Sequence, residues 1–390
     1  MHRTRFWPEY DEEQVEAVAA VLRSGKVNAW TGPDVAAFER EFADHVGTAH
    51  AIAMANGTVT LDAALRALDL RLGDEVIVTP RSFVASASCV LLAGGVPVFA
   101  DVDADSQNIT PETIAPLITP RTRGIIPVHL AGWPCDMEGI MALAARHGLW
   151  VIEDCAQAHG AAIGGRPVGG FGTLGSYSFC QDKIMTTGGE GGMIVTDDDA
   201  LFDEIWSFKD HGKDRALVFQ KDPAPGFRWL HAAGPGTNLR MTAPSAALGR
   251  VQLRRLPEWR AARERNALRL AAALEGTDLL RIPMPPDGMT HAWYRFYAFV
   301  RPERLAPGWD RDRILATMAA RGRPVLTGSC SEIYREAIFA PPGLHPPEPL
   351  PVARALGETS LCLLVDPTWT EDELDAVASA LVETCAEAAA

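Results

Sequence analysis

At 390 residues the chain exceeds the ~250–300 at which a single core stops growing, so a large domain and a smaller one are expected. A formal net charge of −14 argues against nucleic acid or an anionic membrane as the main partner, and leaves small anionic substrates possible only where a local basic cluster overrides the field. No stretch approaches the ~18 apolar residues of a membrane span. The first thirty residues, from Met1, hold no apolar signal core, and the seven cysteines (Cys89, Cys135, Cys155, Cys180, Cys330, Cys362 and Cys385) form no C-x-x-C pair. A soluble cytoplasmic protein in a reducing compartment is expected.

Asp11-Glu12-Glu13-Gln14 reads as an acidic first turn. Apolar Val15, Val18, Val21 and Leu22 follow, which predicts a helix ending at Ser24-Gly25. After a turn at Trp30-Thr31-Gly32-Pro33, a second helix places Val35, Phe38 and Phe42 on one face. From His50 the rhythm becomes α/β. Strands are predicted over 51–54, 75–79, 96–102, 124–130, 149–153, 176–179 and 193–196, with helices over 61–68, 82–93 and 136–147. Such alternation indicates a mostly parallel sheet covered on both faces, whose ligands bind beyond the carboxyl ends of the strands.

A long helix over 242–274 carries Arg250, Arg254, Arg255, Arg260, Arg263 and Arg265, expected on a solvated face. Pro244 and Pro257 are expected to break it once or twice. It joins a large domain (1–250) to a smaller one (251–390) with strands over 294–300 and 324–327, and helices over 310–320 and 370–385. Pro341-Pro342 and Pro346-Pro347 mark an exposed loop.

The chemistry-bearing residues fall at strand ends. In Asn56-Gly57-Thr58, glycine lets backbone approach an anion, and the free N–H groups of a helix start would hold a phosphate, although the same turn serves as an ordinary helix cap. Asp154, closing a buried strand, is desolvated unless a cation or strong donor compensates. A pyridinium nitrogen is such a donor; a helix cap or a metal ligand are the other readings, and no second carboxylate–histidine cluster has metal-ligand spacing. Lys183 follows Asp154 by 29 residues, between two strands and beside the glycine-dense Gly188-Gly189-Glu190-Gly191-Gly192. Alone it reads as a hairpin lysine; held in low dielectric it can form a Schiff base with an aldehyde. Ser178 can offer its hydroxyl to a phosphate, and Asn238 and Arg240 lie just ahead of the long helix, where Asn238 also reads as a cap. In this order the four stretches describe a site for pyridoxal 5′-phosphate, which needs a lysine, an acid at the ring nitrogen and donors at the phosphate.

The same stretches, from Gly32-Pro33 through Gly73-Asp74-Glu75-Val76-Ile77, Glu153-Asp154-Cys155-Ala156-Gln157-Ala158-His159-Gly160 and Ser178-Phe179-Cys180-Gln181-Asp182-Lys183 to Asn238-Leu239-Arg240-Met241, resemble the DegT/DnrJ/StrS sugar aminotransferases almost end to end. The resemblance implies a fold-type-I α/β transferase: a large domain with a mostly parallel, seven-stranded-type sheet, and a smaller α/β C-terminal domain. It implies that Lys183 bonds the cofactor and shuttles protons, Asp154 pairs with the pyridine nitrogen and Gln157 sits near the ring hydroxyl. Gly57, Thr58 and Ser178 would hold the phosphate, and Phe83 would stack on the ring. Asn238 would reach the phosphate of a neighbouring subunit, making a homodimer with shared sites. Trp30, His211, Arg240 and Tyr334 are substrate-side candidates by the same resemblance, with His211 also readable as structural and Trp30 as a staple for the N-terminus.

Three departures stand out: Thr60, expected to change only a helix face; an extra glycine before Glu190; and Asp366, where similar chains often carry histidine. The implied reaction moves an amino group from an amino-acid donor, glutamate by family, to a keto-sugar acceptor on a nucleotide. An aminocyclitol or aminobenzoate enzyme sharing the cofactor residues is a second reading. A cofactor-binding regulator or scaffold without turnover is a third, of another class, and the absence of a DNA-binding segment counts against it.

Overall fold

The computed structural model describes residues 6–221, 225–323 and 325–390. Helix α1 (Glu12–Ser24) starts where the Asp11 carboxylate accepts the Gln14 N–H, and ends at the left-handed Gly25. Helix α2 (Asp34–Val46) buries Phe38 and Phe42 completely, each worth roughly 1.5–3 kcal/mol against an exposed side chain.

The main sheet is built from β1 (His50–Met54), β2 (Glu75–Val78), β3 (Val96–Phe99), β4 (Thr122–Ile126), β5 (Trp150–Asp154), β8 (Leu174–Ser178) and β9 (Gly192–Thr196); the short β6 (Ala162–Ile163) and β7 (Arg166–Pro167) stand apart from it. Its order is β1-β9-β8-β5-β4-β2-β3. Only β9 runs against its neighbours, pairing antiparallel with both β1 and β8. The carboxyl ends of the other six strands therefore share one edge, and the amino end of β9 meets them there.

Helices α3 (Gly57–Ala67), α4 (Ala85–Leu92), α5 (Pro111–Ile114), α6 (Met137–His147), α7 (Asp199–Lys209) and α8 (Arg215–Val218) fill the crossovers and the segment after β9. α3 starts four residues earlier than the apolar spacing predicts, because the Asn56 side chain accepts the N–H groups of Thr58 and Val59 and nucleates the turn.

The arginine-rich helix α9 (Ala243–Leu274) is continuous, contrary to the expected breaks. Pro244 lies in the first turn, where its missing N–H costs nothing. Pro257 forfeits one i→i−4 bond, which costs ~3 kcal/mol in an isolated helix, but packing against α1 and α2 holds the helix on course. Its charges are not simply solvated either. Arg250 pairs with Asp34 and Glu41, while Arg254 and Arg255 reach Glu13 and Asp11, so the helix is laced to α1 and α2. Arg263 is fully buried, lying 5.0 Å from the Trp7 ring.

A second sheet orders β10 (Leu280–Arg281), β12 (Phe296–Val300) and β13 (Ser360–Leu363), while β11 (Met289–Thr290) pairs with β6. Helices α10 (Arg311–Ala320), α11 (Pro351–Thr359) and α12 (Glu371–Ala388) complete this part. Of the strand expected over 324–327, Pro324 lies outside the described residues, and the remainder makes a single bridge between Leu326 and Cys362. One core gathers Phe38, Phe42, Tyr177, Phe179 and Trp259; another gathers Leu270, Phe296, Ile314, Leu361 and Leu381. The changeover falls inside α9, between Trp259 and Ala267, and we propose the domain boundary there rather than at residue 250.

Candidate active site

Backbone packing at the shared strand edge builds the first part of the site. A side chain at Gly57 would put its Cβ 2.5 Å from that of Ser178, and one at Gly192 would sit 2.4 Å from the Asn56 carbonyl oxygen. Only glycine lets the start of α3, the end of β8 and the start of β9 close around one spot. The extra glycine also has an account: Gly188 (φ 92°) and Gly189 (φ 125°) both occupy backbone space that other residues avoid, and the Gln181 N–H donates to the Gly189 carbonyl to fold the chain back beside Lys183.

A cavity of about 540 Å³ opens there, lined by Asn56, Gly57, Thr58, Phe83, Ser86, Asp154, Gln157, Ser178 and Lys183 among others. Asp154 forms its floor. Its carboxylate accepts the Ser86 hydroxyl at 2.8 Å and the Ala156 N–H at 3.1 Å, yet burial outweighs these bonds and raises its pKa. A buried acid left short of positive charge fits a pyridinium N–H. Gln157 spends its Oε1 on the Ala131 N–H at 2.8 Å, which leaves the amide NH₂ for the cavity. Phe83, 66% exposed, lines this cavity as well. The cradle at Gly57, the acid at Asp154 and the amine at Lys183 together fit pyridoxal phosphate.

Lys183 is held from both sides. The Trp7 indole donates to its carbonyl at 2.7 Å, and its Nζ lies 3.3 Å from Asp182 Oδ1 and 3.4 Å from the Tyr294 hydroxyl. His159 is buried between Tyr177 and Phe179; burial, then the nearby Lys183 charge, lowers its pKa to about 3, so it is neutral. A second cavity of about 540 Å³ shares Ser82, Phe83, Gln157, Asp182 and Lys183 with the first, and continues to Tyr294, Arg295, Tyr297, Ser329 and Glu336.

Sequence reasoning missed Ser86, Asp182, Tyr294 and Arg295. Ser86 had a signal, since it follows Ser82 by one helical turn and their hydroxyls meet at 3.0 Å. Tyr294 and Arg295 had none: through the tertiary fold alone, Tyr294 reaches Lys183 and Arg295 reaches Asp182.

The remaining expected residues lie elsewhere in this chain. Trp30, His211, Asn238 and Arg240 cluster around Asp210, and none lines either cavity. Arg240 pairs with Asp210 at 2.8 Å, Lys213 pairs with it at 2.9 Å and sits 4.2 Å over the Trp30 ring, and His211 N–H donates to the Thr237 carbonyl. The Asn238–Arg240 segment runs beside the carboxyl end of β1, with Leu239 accepting the Ala55 N–H, and Asn238 is exposed. Tyr334 is 7% exposed, packs on Phe99 and Phe339, and donates to Glu332; its neighbours Ile333 and Glu336 line the second cavity, and it does not.

Both remaining departures prove structural. Thr60 is fully buried, and its hydroxyl joins the Gly57 carbonyl at 2.6 Å and the Ser176 hydroxyl at 2.7 Å, tying α3 to β8 rather than altering a helix face. Asp366 spends its carboxylate on the Thr368 N–H at 3.1 Å and the Trp369 indole at 3.2 Å and lines neither cavity. His129, Glu153 and Cys155 lie close enough to suggest a metal cluster. However, Glu153 already accepts the N–H groups of Gly169, Phe171 and Gly172 and faces His129 Nε2 at 3.1 Å, and burial holds the Cys155 thiol protonated. Among the described residues no helix is long and apolar enough to cross a membrane.

A seven-stranded, mostly parallel sheet with a lysine, a buried strand-end acid and a phosphate cradle on one edge defines a fold-type-I pyridoxal-phosphate enzyme. The chain belongs to the DegT/DnrJ/EryC1/StrS aminotransferase family, whose model matches residues 8–382, and it is a pyridoxal-phosphate-dependent aminotransferase. Its structure is similar to that of an aminotransferase from Psychrobacter cryohalolentis (51% identity, TM-score 0.96, 98% of this chain and 99% of that one). It is 37% identical to the UDP-N-acetyl-3-dehydro-alpha-D-glucosamine 3-aminotransferase of Acidithiobacillus ferrooxidans, over 89% of this chain and 88% of that protein. It is 33% identical to the spore coat polysaccharide biosynthesis protein SpsC of Bacillus subtilis, over 96% of this chain and 95% of that protein.

Proposed function

We propose that the chain moves an amino group from glutamate to a keto-sugar carried on a nucleotide, in the cytoplasm, during assembly of an amino-deoxysugar. The observation that carries this reading is the single amine, Lys183, standing in the wall common to both cavities, so that one group serves the cofactor on one side and a substrate on the other. The names of the relatives support a sugar acceptor.

Pyridoxal phosphate, when bound, supplies an electron sink for charge developing at the substrate carbon. Lys183 is the residue that bonds it covalently and, when free, carries a proton to and from that carbon. Asp154 holds the proton at the ring nitrogen, with Ser86 and the Ala156 N–H fixing the carboxylate in place. Gln157 would offer its NH₂ to the ring hydroxyl, Phe83 would stack on the ring, and Gly57, Thr58 and Ser178 would receive the phosphate. We assign Asn238 to the phosphate of a neighbouring subunit in a homodimer, with Trp30, His211 and Arg240 beside it at the same shared edge. Tyr334 we assign to support of the loop that ends the second cavity.

The reading is tested spectroscopically. Glutamate added to the purified, cofactor-loaded protein should bleach the band of the bound cofactor, and a nucleotide-linked keto-sugar should restore it. A band indifferent to every amino donor would contradict amino transfer.

A further inference from the structure

In amino transfer the donor's nitrogen takes the place that the Lys183 amine gives up, so the group that steers an amino acid into the site must lie close to that amine. We propose that Arg295 is this group and that it holds the α-carboxylate of the donor. The inference rests on the amino-transfer reading above and names the part of the site that admits an amino acid.

The charged residues lining the second cavity are Asp182, Lys183, Arg295 and Glu336. Asp182 and Glu336 would repel another carboxylate, and Lys183 is assigned to the cofactor, so Arg295 is the lining cation left for a substrate anion. Its position suits an amino acid. The Tyr294 hydroxyl stands between the two basic groups, 3.4 Å from Lys183 Nζ and 3.3 Å from Arg295 Nη2, so these nitrogens are no further apart than two hydrogen bonds laid end to end. The α-carboxylate of an amino acid is attached to the same carbon as its nitrogen, whereas the γ-carboxylate of glutamate lies at the far end of the side chain. In a nucleotide sugar the diphosphate is held away from the ketone by the sugar ring. The short span selects the α-carboxylate.

Arg295 is held in place without being used up. Its Nη1 donates to the Tyr294 carbonyl at 3.1 Å and its guanidinium lies 4.0 Å from the Tyr294 ring centroid. Its ion-pair partner among the described residues, Asp182 Oδ2, is 3.5 Å from Nη2. A structural arginine of this chain is clasped more tightly: Arg269 grips Asp375 through Nε and Nη2, each at 2.7 Å. Arg295 has no such clasp, and a planar guanidinium fork matches the two oxygens of a carboxylate. The side chain is 18% exposed, so it can be reached from the cavity while its charge is only weakly screened.

A second cation stands behind the same wall. Arg81 is fully buried against the ring of Tyr297, a cavity-lining residue, with 5.5 Å between the guanidinium carbon and the ring centroid. Its Nε donates to Gln107 at 2.9 Å, but Nη1 and Nη2 have no hydrogen-bond partner among the described residues. A buried cation left without a counter-charge is costly to the empty fold, and an anion entering nearby offsets part of that cost. In a chain of net charge −14, the two arginines give one wall of the cavity the local positive charge that a small anionic substrate requires.

The test compares cofactor-loaded wild type, Arg295→Gln and Arg295→Lys. Glutamate is set against 4-aminobutyrate, which is glutamate without its α-carboxylate, and against glutarate, which is glutamate without its amine. Arg295→Gln should raise the KM for glutamate about 10- to 100-fold, as expected for losing a hydrogen-bonded charge, and weaken glutarate binding in calorimetry by a similar factor. It should also erase most of the preference for glutamate over 4-aminobutyrate and leave the KM for a nucleotide-linked keto-sugar nearly unchanged. Arg295→Lys should recover part of the loss, because it keeps the charge without the fork. A loss falling equally on glutamate and 4-aminobutyrate would assign Arg295 to the γ-carboxylate or to the fold, and a rise confined to the keto-sugar would assign it to the diphosphate. Either result, or an unchanged KM for glutamate, overturns the inference while leaving amino transfer intact. Wild-type protein that responds to no amino donor would instead overturn the functional reading beneath it.

Discussion

Asp154 shows how a residue can serve the reaction at the expense of the empty fold. Burial raises its pKa above that of an unfolded carboxyl, against hydrogen bonds from Ser86 and Ala156 that lower it. An acid with a raised native pKa contributes stability that is present below its unfolded pKa and lost as pH rises through the native value. Above that native value the cofactor-free protein therefore carries an under-compensated charge. Asp154→Asn should raise the Tm of the cofactor-free protein at pH 7, with the gain vanishing below the ordinary carboxylate range, while turnover falls about a hundredfold or more because the ring proton is no longer held. Thermal melts at several pH values check the sign; a variant less stable than wild type at pH 7 would mean that the carboxylate is already fully compensated. Asp154 was legible in the sequence as a charged residue closing a buried strand, whereas Lys183, alone readable as a hairpin lysine, stood out only beside the other stretches. Asp182 was visible only as a neighbour of the lysine, since its partners Tyr294 and Arg295 are more than a hundred positions away.

At the scale of elements, the sheet and its helices followed from periodicity, and the misreadings came from groups whose role depends on what lies across the packing. The helix at Gly57 begins earlier than its apolar residues do, because a capping side chain and not a hydrophobic stripe starts it. α9 runs through Pro257 because neighbouring helices hold it. Thr60 read as a change of helix face alone until the fold placed its hydroxyl against that of Ser176. Thr60→Val keeps the volume but leaves Ser176 short of a partner, and should destabilise the fold by about 1–3 kcal/mol in urea titration. Ser176→Ala in the same background should recover part of that loss, because both polar partners are then gone. Equal stability of Thr60→Val and wild type would return Thr60 to a passive role.

At the scale of the whole molecule, the proposed homodimer gives a role to a surface that lines neither cavity. Trp30, His211, Asn238 and Arg240 gather around Asp210 and its ion pairs beside β1, and none of them lines either cavity of their own chain. The sequence named these residues as candidates, and under the proposed homodimer whose site they serve depends on a second copy. If Asn238 reaches the partner's phosphate, Lys183→Ala and Asn238→Ala proteins should each turn over poorly. Dimers re-formed from an equal mixture should then recover about a quarter of wild-type activity, since half the dimers carry one intact site of two. No recovery on mixing would place Asn238 in the site of its own chain.

Every role proposed for the site follows from Lys183 being the amine that carries the cofactor. Borohydride reduction of the loaded protein, followed by proteolysis and mass spectrometry, reads this directly. The cofactor's added mass is predicted on the peptide containing Lys183 and on no other lysine. The same mass on a different lysine, or no adduct from a protein that retains the cofactor, would contradict the assignment of the site.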